Sequence, residues 1–175
     1  MRRVVLLLVA AAIMSVGLMA GPAGAAKKVT DCKKDKNLVP SITKAFNTYL
    51  GGATTAEKMT YIQDAAKVAP ISDEGAALAA ANGQTNSTTA TQIFKLEATC
   101  QGKTAANFTY DLGVVPRPIT GTPPSTGYGL KFAGDAVLDK KKGVWLISSA
   151  TICDLIGQNP QTPGLGDKCL QAIGG

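Results

Sequence analysis

Apolar and polar positions change period along the chain, and each change marks an element. Residues 4–18 form one apolar run, interrupted only by Ser15 and preceded by Arg2 and Arg3. Gly17, Gly21 and Pro22 discourage a continuing helix, and Ala23-Gly24-Ala25 supplies the small-x-small pattern of a processing site. The run is shorter than the ~20 apolar residues that a spanning helix needs. Residues 1–25 therefore read as a cleavable secretory signal, cut after Ala25, with Ala26 as the near alternative. Cys32, the first cysteine, lies too far downstream to be acylated as in a lipoprotein. No second apolar run follows, so no transmembrane segment is expected after cleavage.

The next stretch has helical spacing. Ile42, Ala45, Phe46, Tyr49 and Leu50 fall at i, i+3, i+4, i+7 and i+8, which predicts a helix over 38–50 with one apolar stripe. Pro40 near its start and Gly51-Gly52 after its end are the matching punctuation. Thr54 and Glu57 have capping-box spacing, and Met59, Ile62 and Ala66 share a face. They predict a second helix that stops before Pro70. Ser72-Asp73-Glu74 opens a third, short helix running to Ala81, with Asn82-Gly83 as its C-cap.

The period then becomes two. Residues 84–91 are polar and read as a loop or the start of a strand. Phe94, Leu96 and Ala98 alternate with Lys95 and Glu97, and Gln101-Gly102 makes a turn. Ala106, Phe108, Tyr110 and Leu112 alternate with Asn107, Thr109 and Asp111. Pro116, Pro118, Pro123 and Pro124 mark a long loop, after which Leu130, Phe132, Ala136 and Leu138 resume the alternation. Residues 139–143 form a charged hairpin turn, and residues 144–152 read as the last strand. Helices first and a strand meander afterwards predict an α+β fold, with two to three N-terminal helices packed on one face of a four-stranded antiparallel sheet.

Composition changes this picture in three places. Removing 25 of the 175 residues leaves one ordinary domain, and aromatics at 5% point to a core of small residues. The formal charge of +6 is unevenly placed. Arg2 and Arg3 leave with the signal, and residues 26–37 form a basic arm with five lysines against Asp31 and Asp35. From residue 37 onward 11 basic residues face 10 acidic ones, which removes the main support for nucleic-acid binding. The arm has the charge to touch an anionic lipid or envelope polymer, or to serve as a solvated leader.

The four cysteines of an exported chain read as disulfides. Zinc would need CxxC or Cys/His spacing, and the chain has no histidine. Cys153 and Cys169 flank a Gly/Pro-rich segment, so Cys153-Cys169 with Cys32-Cys100 is the first pairing. In a four-strand meander Cys100 and Cys153 lie at opposite ends of the sheet, which disfavours joining them. Cys32 to Cys153 with Cys100 to Cys169 is the second.

The stretch from Thr54 through Lys58 to Ile62-Gln63-Asp64 precedes the alternating strands. Gly143-x-Trp145-x-Ile147-Ser148-x-x-Thr151-x-Cys153-x-Leu155 follows them. In this order the residues resemble exported actinobacterial proteins, nearest to the mycobacterial low-molecular-weight secreted antigen family, over residues 38–156. The resemblance implies a cystatin-like, nuclear-transport-factor-two-like cone, an extracellular or cell-wall location and immune visibility. It brings no catalytic residues. The expected organisation is a signal over 1–25, the basic arm over 26–37, the cone domain over 38–156 and a disulfide-closed Gly/Pro-rich tail over 157–175.

Three functions are open to such a domain. The first is a non-catalytic module that binds an envelope partner or surface through the sheet's outer face or the basic arm. The second is a carrier of an apolar envelope lipid, with Phe108, Tyr110, Leu130, Phe132, Trp145 and Ile147 lining a hollow between helices and sheet. The alternation alone favours the plainer reading, that the same residues fill the core. The third is a cone-fold isomerase with Asp135 as base and Tyr110 as donor, although the alternation turns Asp135 outward. Ser148, Ser149 and Thr151 are hydroxyls in a chain with no histidine to serve as base. No cofactor is expected.

Overall fold

A computed structural model of the chain describes residues 29–83, 89–116 and 131–175. The signal over 1–25, Lys27 and Lys28, residues 84–88, most of the proline-rich loop and Leu130 lie outside the described residues.

Helix α1 (Leu38–Gly51) forms where the apolar stripe predicts it and buries Ile42, Ala45 and Phe46. Gly52 ends it by donating its N–H to the Thr48 carbonyl at 2.9 Å. Helix α2 (Thr55–Lys58) starts on the predicted capping box: the Thr54 hydroxyl accepts from the Glu57 N–H, and the Glu57 carboxylate accepts from the Thr54 N–H. A Thr54→Ala variant is expected to lose about 1 kcal/mol of stability. The loss should read as a lower urea midpoint with an unchanged slope.

The helix predicted to run from Thr54 to Pro70 is broken in the structure. Met59–Tyr61 tightens into a 3₁₀ turn, Ile62 is extended, and Asp64 adopts a left-handed conformation at φ 49°. The core is the reason. Ile62, 4% exposed, forms a parallel bridge to Ile147, and the Gln63 N–H reaches the Ile147 carbonyl at 2.9 Å. Helix α3 (Ala65–Ala81) then carries Pro70 inside it. A proline there removes the N–H that would meet the Ala66 carbonyl. Buried Val68 and Ile71 hold the helix on the core across that gap, and Ala66 faces solvent. Asn82 ends α3, with Gly83 at φ 80° just after it.

The sheet contains β1 (Thr89–Cys100), β2 (Ala105–Pro116), β3 (Lys131–Asp139) and β4 (Val144–Ile147) as an antiparallel meander in sequence order. Helix α1 touches both edge strands, β1 and β4, so the sheet curls around it. The molecule is thus α+β, with helices packed on one face of a four-stranded cone-like sheet. Ala106, Phe108 and Tyr110 point inward as the alternation predicts. Phe94 does not. A register shift after Phe94, with Lys95 at φ 47°, turns its ring to the outer face. There it packs with Val115 over Gly113, where a Cβ would lie 2.2 Å from the ring. Ile93 takes the inward place.

The final strand also ends earlier than the expected residue 152. At Ser148 the chain turns into α4 (Ser149–Gly157), and the Ser148 hydroxyl caps it by accepting from the Thr151 N–H. The tail is more ordered than its Gly/Pro content implies, because it ends in α5 (Leu165–Gly174). Gly157 and Gly166 let α4 and α5 meet backbone to backbone; a Cβ on Gly166 would lie 2.5 Å from the Gly157 Cα. The Cys153–Cys169 disulfide joins the same two helices. The second disulfide, Cys32–Cys100, ties the arm to the end of β1.

Candidate functional site

Strand alternation puts Glu97 and Thr99 of β1, Asn107 and Thr109 of β2, and Asp135 of β3 on the outer face of the sheet. Strand β4 pairs with β3 only from Ala136 to Asp139. Beyond that point α4 takes over the edge. The Ser148 N–H donates to the Asp135 carbonyl, and the Asp135 N–H donates to the Thr151 hydroxyl, both at 2.8 Å. Helix α4 therefore walls one side of the outer face and adds Asp154 to it. The result is an open groove of about 700 Å³.

The groove is acidic, with carboxylates set among apolar lining such as Phe108, Ala133 and Ala150. Glu97, Asp135 and Asp154 come from three separate elements, and among the described residues no lysine or arginine lines it. Asp135 accepts a hydrogen bond from the Asn107 amide, which fixes that carboxylate over the sheet. The Asp154 charge is felt in the core as well. The Tyr110 phenol is pushed up to about 12, first by burial and then by Asp154. No group of three His, Cys, Asp or Glu that could hold a metal occurs among the described residues. Converging carboxylates, amides and hydroxyls can accept hydrogen bonds from a cationic ligand; the capping hydroxyls Ser148 and Thr151 bond to each other at 2.9 Å.

The apolar residues singled out as a cavity lining occupy the core. Phe108, Tyr110, Trp145 and Ile147 are at most 2% exposed, and Phe132 is half-buried. Phe46 of α1 fills the space between helix and sheet, with its ring edge-on to Tyr110 at 4.9 Å and to Phe108 at 6.0 Å. Tyr110 stacks on Phe132 at 5.5 Å. Of these residues Phe108 alone also borders the outer groove. Asp135 and Tyr110 stand on opposite faces of the sheet, so they do not form an acid–base pair.

A smaller hollow of about 250 Å³ lies between α1, α3 and α4, beside Tyr49. Burial pushes the Tyr49 phenol up to about 12 against a weaker pull from the Ser72 hydroxyl. No described helix is long and apolar enough to cross a membrane.

Glu97 was legible as outward-facing from its alternation with Leu96 and Ala98. Asp154 was not, because its place depends on the chain leaving the sheet at Ser148. Fold and groove together define a disulfide-tied α+β cone with an acidic outer face. Comparison with known proteins finds no matching family model, no matching curated protein and no matching solved structure.

Proposed function

We propose that the chain is an exported binding module, acting without catalysis, that docks a lysine- or arginine-bearing segment of an envelope protein in the outer-face groove. The observation that carries this reading is the groove itself: about 700 Å³, three carboxylates from three elements, and no cation among the described residues of its lining. The sheet supplies a rigid floor, and Asn107 holds one of the carboxylates in place. The signal-like residues 1–25 and the two disulfides support export to an oxidising compartment. The resemblance to the mycobacterial secreted antigen family supports a cell-wall or extracellular setting.

The test is in-cell photo-cross-linking from Thr109, on the groove floor, compared with Lys67 on the helical side. A partner trapped from Thr109 and not from Lys67 is the expected result. Recovery of free monomer alone from both positions would sink the reading. Glu97→Gln with Asp154→Asn should weaken binding of the trapped partner by roughly tenfold, since exposed charge pairs contribute ~0.2–1 kcal/mol each.

A further inference from the structure

The antiparallel order puts the β1–β2 turn and the β3–β4 turn at one end of the sheet. The arm is laid across that same end. Cys32 is bonded to Cys100 and donates its N–H to the Lys103 carbonyl at 2.8 Å. Asp35 accepts from the Trp145 indole N–H, also at 2.8 Å. Three stretches far apart in sequence thereby gather their lysines: Lys33, Lys34 and Lys36 from the arm, Lys103 from the first turn, and Lys140 to Lys142 from the second. All are exposed.

The acids of that end are Asp31, Asp35 and Asp139, and N–H donors occupy each of them. Asp31 accepts from the Lys33 amide, Asp35 from the Asn37 amide and Trp145, and Asp139 from the Lys141 and Lys142 amides. Lys103, Lys140, Lys142 and the three arm lysines make no ion pair among the described residues; the ion pair there joins Lys168 to Glu74. The other described residues carry six lysines against nine carboxylates, so the excess positive charge is concentrated here.

We propose that this end is a docking surface for a linear polyanion, a polymer with repeated phosphate or carboxylate groups. Lysine is a point charge on a flexible stem and imposes no fixed fork geometry. Seven of them on three segments match charge density rather than one small anion. The two turns lie two strand spacings apart, about 10 Å, close to the Debye length at physiological salt. Their fields therefore overlap, and a ligand that meets both must be extended. A bilayer is the weaker match, because interfacial binding adds buried apolar area to basic charge. Val39, 37% exposed and just beyond the arm in sequence, is the large apolar residue available for that. None of these lysines lines the acidic groove, so the two surfaces are independent.

The test titrates the mature chain with linear polyphosphate, poly-L-glutamate, inorganic phosphate and phosphatidylglycerol vesicles, at low and physiological salt. Both polymers should bind, with affinity falling steeply as salt rises because counterions are released. The triple variant Lys34→Gln, Lys103→Gln, Lys142→Gln should lose roughly tenfold or more, and its salt slope should flatten. Lys44→Gln, Lys131→Gln, Lys168→Gln, with the same loss of charge elsewhere, should bind as the unaltered chain does. Trp145 fluorescence checks that both variants are folded. Equal losses in the two variants, salt-independent affinity, inorganic phosphate binding as tightly as the polymers, or binding to vesicles alone would each overturn the proposal.

Discussion

Phe46→Ala is expected to destabilise the protein by about 3–5 kcal/mol, the usual cost of removing a fully buried phenylalanine. Phe46 is 0% exposed and stands where α1, β2 and the curl of the sheet meet. Its ring makes edge contacts with both Phe108 and Tyr110, so truncation removes two aromatic pairs as well as buried area. The surrounding wall is sheet on one side and helix backbone on the other, neither of which collapses easily. Against a total stability of roughly 5–15 kcal/mol, such a loss leaves a marginal domain. Trp145 is the chain's single tryptophan and is 2% exposed, so urea unfolding followed by its fluorescence reads the change directly. Phe46→Leu should fall well short of the alanine loss. A loss under about 1 kcal/mol for the alanine variant would mean that the interior is not filled as described. It would reopen the idea of a ligand hollow between helices and sheet.

Such a cluster was only partly legible. The stripe of α1 and the alternation of β2 are strong periodic signals, and each correctly gives one wall of the core. That Phe46 plugs the space between them is a tertiary fact, and no spacing rule predicts it. The errors fall where local and global preferences disagree. The capping box at Thr54 and Glu57 starts a helix as expected. Yet the apolar period through Met59 and Ile62 then reads as more helix, while Ile62 is drawn into a bridge with Ile147. Pro70 looks like a stop, but burial of Val68 and Ile71 outweighs the missing hydrogen bond. The Ile147 to Ile152 stretch has enough β-branched residues (Ile147, Thr151 and Ile152) to pass for strand, and Ser148 is legible as a cap only once the strand is known to end there. The acidic groove follows from that single misplaced boundary, because α4 builds its wall.

Opening the Cys32–Cys100 disulfide should have the second large effect on stability. The bond closes a loop of 68 residues. In the chain-entropy model that is worth about 4 kcal/mol, compared with about 3 for the 16-residue separation of Cys153–Cys169. The paired variant Cys32→Ser, Cys100→Ser should therefore unfold at lower urea than Cys153→Ser, Cys169→Ser, with both below the unaltered protein. The first pair also anchors the arm. Without it, the arm rests on the Cys32 N–H bond to Lys103, the contact between Asp35 and Trp145 and the packing of Val29 on the core, while a serine at buried position 32 loses the sulfur's contacts. Two isolated hydrogen bonds contribute about 1–3 kcal/mol in total and must hold several residues whose ordering costs ~1–2 kcal/mol each. The arm should come free while the sheet stays folded. Limited trypsin digestion separates this local effect from global loss. Rapid cleavage at Lys33, Lys34 and Lys36, with Trp145 fluorescence still native apart from the lost carboxylate contact, is the expected result. Slow cleavage in the variant would show that the arm is held by packing rather than by the bond. The polyanion affinity should follow the same division, because a released arm takes three of the seven lysines away from the two turns.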